Sequence, residues 1–382
     1  MKVPPIKIGL IGSGAISGTY LNNMINRFQI LDVVGCSDII PERSAKRAEE
    51  FKIKDLTNDE ILNDPEIKIV VNTTYPMSHY EVNKAALLAG KNVHCEKMMA
   101  VTFDEGKELV KIAKEKNLRI GMAPDTFLGG GLQTARKLID DGFIGEPYMA
   151  QAMVVRGYHH DTGKHTGFGF TQQPGGGIPF DMGGYYLHAL VHLLGPVNRA
   201  TGFAQCHNQT RTRKNPGNPL FGEDVSIDTI NELVGSLEFK SGVYGTITVC
   251  SEGFGETPRL EIYGREGVLI CPDPNTFGGP VLLKRKSRND YNAEFISMPL
   301  THGFYDGCCR GIGVADMAWG IVNDRPHRAH GDMGFHVFEI VHGIWEGTKT
   351  GKIHVMESTC EQPAPFIPGY VDGGLDEYVL TV

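Results

Sequence analysis

The feature that most constrains this chain is a strict alternation of two patterns from Lys7 to about Ala123. Short apolar runs at Ile6–Ile11, Leu31–Ser37, Ile69–Thr73, Asn92–Cys95 and Arg119–Met122 predict strands. Between them Gly14–Arg27, Pro41–Phe51, His79–Ala89 and Phe103–Lys116 predict helices. Strand and helix in this order, with short connections, give βαβ units and a parallel sheet. The runs are apolar almost throughout, as strands covered on both faces must be.

After Pro124 the texture changes. A predicted helix at Leu132–Asp141 precedes a stretch rich in Gly and Pro. Alternating runs follow at Tyr148–Arg156, Val197–Cys206, Thr229–Phe239, Gly242–Ser251, Arg259–Tyr263 and Gly267–Cys271. They predict a largely antiparallel open sheet, one face covered by helices at Asp181–Leu194, Tyr305–Asn323 and Gly331–Thr350. A chain of 382 residues exceeds one ordinary core. The expected organisation is therefore α/β: a doubly wound parallel sheet over residues 1–124, then an α+β domain over 125–382. The uncovered face of an open sheet needs a partner, so a homo-oligomer through the C-terminal sheet is expected.

Composition excludes several classes. With 41% hydrophobic and 21% charged residues the chain is ordinary globular material. The net charge is -8, and the densest basic run, Lys284-Arg285-Lys286 with Arg288, reads as a solvated strand end, so no nucleic-acid partner is expected. No apolar run approaches the roughly 18 residues of a membrane span. The N-terminus leads directly into a strand and does not read as a signal peptide. The eight cysteines show no CxxC pair and no zinc spacing, which fits a cytoplasmic protein. Cys308-Cys309 could be redox-active, or two small residues at a helix start.

Gly12-Ser13-Gly14-Ala15-Ile16-Ser17 follows the first strand and opens the first helix. This is the GxGxxG fingerprint with serine in the last place. Its first glycine permits the tight turn, its second lets backbone approach a pyrophosphate, and the helix N-terminus offers unpaired N–H groups. Asp38, at the end of the second strand, either accepts from ribose hydroxyls or caps the turn before Pro41. Strand, loop, helix, strand and acid together predict a Rossmann dinucleotide site. The acid favours NAD over NADP, because a 2′-phosphate would be repelled, while Arg43 nearby keeps NADP open.

Glu96-Lys97 lies immediately beyond a strand end, where nicotinamide would lie. Lys97 either bonds a substrate hydroxyl and stabilises developing alkoxide charge, or is a surface charge paired with Glu96. If Asp181–Leu194 is helical, Asp181, Tyr185 and His188 share one stripe opposite Leu187, Leu190, Val191 and Leu194. The Gly175-Gly176-Gly177 triplet before it would let the helix start approach a ligand. Carboxylate, phenol and imidazole suit gripping a polyol and moving a proton; alternatively they are satisfied polar groups at a domain seam. His159-His160-Asp161 with His165 and the His188/His192 pair invite a metal reading, but nothing among them makes a hydrolase-type zinc motif. His160 and His165 are expected in a substrate-contacting loop, and no metal is expected.

With these segments in order, the chain resembles the glucose–fructose oxidoreductase, inositol dehydrogenase and rhizopine-catabolism (Gfo/Idh/MocA) family over almost its whole length. The family's Glu-Lys-Pro motif matches Glu96-Lys97-Met98, with the proline replaced. Asn72-Thr73-Thr74-Tyr75-Pro76-Met77-Ser78-His79 is similar to the family's loop along the cofactor. Gly175-Gly176-Gly177-Ile178-Pro179-Phe180-Asp181-Met182-Gly183-Gly184-Tyr185 is similar to its second catalytic segment, tyrosine standing where many relatives have histidine.

The resemblance implies an NAD(P)-dependent oxidoreductase with Lys97, Asp181, Tyr185 and His188 as catalytic candidates. It implies cofactor contacts at Gly12, Ser13, Gly14, Ala15, Ile16, Asp38, Arg43, Thr73, Thr74, Tyr75, Pro76, His79, Glu96, Lys97 and Asp125. Substrate contacts would come from Lys97, His160, His165, Asp181, Tyr185 and His188. The substrate would be a sugar, glycoside or polyol, the glycoside 3-dehydrogenases being the subgroup most similar in texture. Two other classes compete: a redox-silent binding protein on the same fold, and a glycoside hydrolase using NAD for transient oxidation.

Overall fold

The computed structural model describes residues 4–157, 166–253, 258–285, 293–303 and 306–369. In its N-terminal half β1 (Ile6–Ile11), β2 (Leu31–Ser37), β3 (Lys54–Asp55), β4 (Ile67–Asn72), β5 (Asn92–Cys95) and β6 (Ile120–Met122) form one parallel sheet, ordered β3-β2-β1-β4-β5-β6. The order reverses at β1, so the crevice between the carboxyl ends of β1 and β4 is the switch point where such sheets take ligands. β1 and β4 are buried along most of their length, as their apolar sequences require.

The connections are α1 (Ser17–Asn26), α2 (Pro41–Phe51), α3 (Asn58–Asn63), α4 (Pro76–Leu88) and α5 (Phe103–Glu115). α1 begins later than the sequence pattern predicts, because Gly14–Ile16 stay in the turn. α4 begins earlier, because Pro76 sits in its first turn, where a missing N–H costs nothing. β3 and α3 went unpredicted. They are short, yet Thr57 and Glu60 form a closed capping box that marks the start of α3.

The second half contains α6 (Gly130–Asp140), β7 (Pro147–Val155), α7 (Ile178–Leu194), β8 (Val197–Gln205), β9 (Thr210–Thr212), β10 (Asp224–Ser226), β11 (Glu232–Phe239), β12 (Tyr244–Cys250), β13 (Arg259–Gly264), β14 (Gly267–Ile270), β15 (Val281–Arg285), β16 (Ile296–Met298), α8 (Ile312–Val322), α9 (Gly331–Thr350) and β17 (His354–Val355). Nine strands join in the order β16-β15-β14-β13-β7-β12-β11-β8-β17. Only β7 and β12 pair in parallel; the rest of this sheet is antiparallel, in agreement with the alternating sequence. β9 and β10 pair separately as an excursion.

α7 lies on β7 and β12, and α9 packs on β8 and against α7. The two-stripe reading of Asp181–Leu194 is corrected here. Held between the sheet and other helices, α7 is buried on every side, and Asp181 alone stays half-exposed. The other sheet face carries exposed Phe203, Val234 and Tyr244.

The chain finally returns to the first sheet. Met122 N–H donates to Ala329 O at 2.9 Å, and Gly121 forms an antiparallel bridge with His330. Parts of both halves therefore meet beside β5 and β6. Among the described residues no helix is long and apolar enough to cross a membrane.

Candidate active site

The glycine loop is fixed by backbone. Gly12 has φ +101°, and a Cβ there would lie 2.6 Å from Thr74 N, so only glycine fits. Thr73 Oγ1 donates to Gly12 O at 2.6 Å, tying the loop after β4 to the loop after β1. Ser17 Oγ donates to Gly14 O at 2.6 Å, and no side chain caps the start of α1. A Cβ on Gly14 would meet nothing within 4 Å. An open concavity bounded by a helix N-terminus fits a dinucleotide pyrophosphate.

Asp38 performs the capping role foreseen for it and a second one. Its Oδ1 accepts from Ile40 N–H at 2.8 Å and its Oδ2 from Ser13 N–H at 2.7 Å. The carboxylate is half-buried at the rim of the cradle, where a ribose would meet it. Arg43 is exposed on α2; the guanidinium that reaches the loop belongs to Arg47, with Nη2 3.4 Å from Gly14 O.

The loop after β4 is braced from below. Asn72 Oδ1 accepts from Thr74 N–H and Oγ1, and Asn72 Nδ2 donates to Asn83. Tyr75 is exposed, its ring stacked 6.0 Å from that of Phe170. His79 is fully buried, with ring nitrogens 2.6 Å from Met98 O and 3.0 Å from Thr74 O. It links the Thr74 loop to the turn after β5. The Lys97–Met98 peptide is cis.

That turn carries the reactive cluster. Glu96 accepts from Tyr20 Oη at 2.8 Å, and Lys97 Nζ lies 3.8 Å from Glu96 Oε2. Lys97 Nζ is 2.9 Å from Asp181 Oδ1 and sits 5.0 Å from the Tyr185 ring centre. Arg156 Nη2 lies 3.6 Å from Asp181 Oδ2, and Arg310 Cζ lies 5.5 Å from the Tyr185 ring centre. Burial opposes charge here, yet Asp181, Tyr185 and Glu96 hold Lys97 above its ordinary range. Glu96 is likewise penalised by burial but is lowered to about 2 by Lys97, Arg310 and Tyr20. Lys97 is thus no solvated surface charge.

Not every candidate joins this cluster. His188 is buried; its Nδ1 donates to Gly184 O at 2.8 Å, its ring lies against Phe127, and burial lowers it to about 4. Asp125 is fully buried and accepts from Gly311 and Gly313 N–H at 2.9 and 3.0 Å, which pins the start of α8. The glycine triplet approaches protein backbone instead of an open site: a Cβ on Gly177 would lie 2.2 Å from Ile230 O. His160 and His165 lie outside the described residues, as do His159 and Asp161. Among the described residues no group of His, Cys, Asp and Glu is arranged to hold a metal. Sequence reasoning missed Tyr20, Arg156 and Arg310. Each stands outside any recognisable motif, and only the fold brings it to Lys97.

Residues 6–123 match the oxidoreductase family with an NAD-binding Rossmann fold, and residues 132–270 match the GFO/IDH/MocA C-terminal domain. The chain belongs to the Gfo/Idh/MocA oxidoreductase family. Among curated relatives, an uncharacterized oxidoreductase of Schizosaccharomyces pombe is 27% identical over 212 residues, 54% of this chain and 57% of that protein. The chain thus spans just over half the length of that relative. The scyllo-inositol 2-dehydrogenase (NADP(+)) of Bacillus subtilis is 26% identical over 273 residues, 70% of this chain and 69% of its own length. A levoglucosan dehydrogenase in complex with NADH and L-sorbose superposes with TM-score 0.79 at 19% identity, covering 92% of this chain and 99% of the other. At that identity the superposition shows the shared fold, and the Rossmann half is the family's NAD-binding half.

Proposed function

We propose that this Gfo/Idh/MocA protein oxidises a secondary hydroxyl of a sugar, glycoside or polyol, with NAD as hydride acceptor. The observation that carries this reading is the meeting of Lys97, Asp181 and Tyr185 beside the carboxyl ends of the Rossmann strands. Bound in the cradle, NAD supplies a two-electron acceptor for the carbinol hydride. Lys97, its amine fixed by Asp181, donates a hydrogen bond to the substrate oxygen and favours negative charge there. Tyr185 receives the hydroxyl proton. Its hydroxyl has no hydrogen-bond partner among the described residues; His188, its Nδ1 bonded to Gly184 O, is buried with its ring against Phe127, away from the Lys97 cluster. Asp181 sets Lys97 in place. The Asp38 carboxylate at the cradle's rim favours NAD, since it would repel a 2′-phosphate.

Relatives named for inositol, D-xylose and levoglucosan support the sugar and polyol class. Within it we favour an uncharged sugar or glycoside oxidised at C3. We further place the chain in the cytoplasm as a homo-oligomer. Free cysteines support the compartment, and the apolar side chains on the open sheet face support a second copy there. The test is a panel of glycosides, free sugars and inositols with NAD and with NADP, following NADH or NADPH absorbance and 3-oxo products by mass spectrometry. Turnover of inositols alone would reject the glycoside reading. Hydrolysed glycoside without net NADH would replace dehydrogenation with transient oxidation.

A further inference from the structure

We infer that Arg47 is a positioning residue for the dinucleotide: seated over Gly18, it holds the Gly14 carbonyl so that the next amide faces the pyrophosphate. The inference rests on NAD lying with its pyrophosphate in the glycine-loop cradle. It starts from the one departure of the loop from its fingerprint. Ser17 stands in the place of the third glycine, and Gly18 follows it.

Two donors converge on Gly14 O: Ser17 Oγ at 2.6 Å and Arg47 Nη2 at 3.4 Å. The Gly14–Ala15 peptide is trans and planar, so its N–H points away from its C=O. With the carbonyl held against the protein, Ala15 N–H is turned the other way, and among the described residues nothing accepts from it. An oxygen of the pyrophosphate is the acceptor such an amide at a helix start takes. Gly14 lacks a Cβ, so its own torsions resist rotation of this peptide least of any in the loop. The two donors supply the restraint.

Arg47 reaches the loop from α2, and Gly18 lets it. A Cβ at position 18 would lie 2.9 Å from Arg47 Nη1, 3.0 Å from Cζ and 3.1 Å from Nη2. The guanidinium therefore fills the space that a side chain on this turn of α1 would take. Glu50, three residues further along α2, lies 2.6 Å from Nη1 and fixes the other edge of the fork. It also offsets the charge, so Arg47 acts through geometry more than through attraction. The Arg47 side chain is only 21% exposed, and much of a surface arginine's freedom has been given up to hold this place.

The test uses cofactor-free full-length protein, with NAD and ADP binding measured by calorimetry and adenosine, which lacks the pyrophosphate, by ligand-observed NMR. Arg47→Met should weaken NAD and ADP about fivefold, the scale of one hydrogen bond, and leave adenosine within about twofold. Arg47→Lys should recover part of the loss. Gly18→Ala should give the same loss by another route, because its methyl displaces the flexible end of Arg47. Alanine suits a helix better than glycine, so the cofactor-free melting temperature of Gly18→Ala should not fall. Both changes remove one contact, so the double variant should bind NAD no more weakly than either alone. Equal weakening of adenosine, or losses that multiply in the double variant, would overturn the inference and leave Arg47 as a brace between α1 and α2. Wild-type protein that binds neither NAD nor ADP would instead overturn the cradle reading beneath it.

Discussion

The glycine loop and the Lys97 cluster occupy the carboxyl edge of one sheet, yet they are made by opposite means. The loop is contiguous backbone, residues 12 to 17, held by Ser37, Asp38 and Thr73. The cluster is side chains from the turn after β5, the end of β7, the start of α7 and the approach to α8. A backbone cradle binds by shape and N–H direction; a charge cluster acts by sign and distance. Substitutions should therefore separate binding from turnover.

The largest effects are expected in the cluster. Tyr185→Phe removes the proposed proton acceptor and should lower kcat about 10²- to 10⁴-fold. Lys97→Met removes the proposed donor to the reacting oxygen and should cost about 10²- to 10³-fold. In both, NAD affinity measured by calorimetry should stay within about twofold of wild type, on the scale where tenfold is about 1.4 kcal/mol. A parallel loss of NAD binding would mean that the two regions are one, and the comparison would fail.

The same contrast explains what could be read in advance. The Rossmann half announces itself through apolar runs, helix periodicity and one local fingerprint, all short-range signals. Even Asp38 was legible, with its capping contact to Ile40 as well as its place near the loop. The cluster was half legible: Lys97, Asp181 and Tyr185 stand in motifs, but Arg156 and Arg310 are single charges at element ends. Nothing in their own neighbourhoods points to Lys97, because tertiary folding alone brings them there. The stripe reading of α7 failed for a related reason. Amphipathic periodicity assumes one wet face, and α7 has none.

An intermediate effect probes how far the cluster also stabilises the fold. Glu96 is nearly fully buried, and its carboxyl is lowered from 4.5 to about 2 despite the opposing cost of burial, chiefly through Lys97, Arg310 and Tyr20. A depressed folded-state value means stability that is complete above the unfolded value and lost as pH falls from 4.5 toward about 2. Such a depression corresponds to on the order of a few kcal/mol. Glu96→Gln should lose most of this near neutral pH, and the gap to wild type should narrow as the medium approaches pH 3. Urea unfolding at several pH values measures it, and a gap that stays constant with pH would show that Glu96 acts by packing alone.

The smallest effect falls on the cradle, and it discriminates most finely. A methyl group at Gly14 meets no protein atom within 4 Å, so Gly14→Ala should leave stability within a few tenths of a kcal/mol of wild type. The same methyl enters the space assigned to pyrophosphate and should weaken NAD about tenfold, close to 1.4 kcal/mol. At saturating NAD, kcat should be unchanged, because Lys97 and Tyr185 are untouched. Gly12→Ala is the control: with φ +101° and Thr74 N only 2.6 Å from the added carbon, it should destabilise the fold before any ligand is present. If Gly14→Ala bound NAD as tightly as wild type, the dinucleotide would have to lie elsewhere, because the cradle's N–H groups serve a phosphate only where backbone can approach it closely.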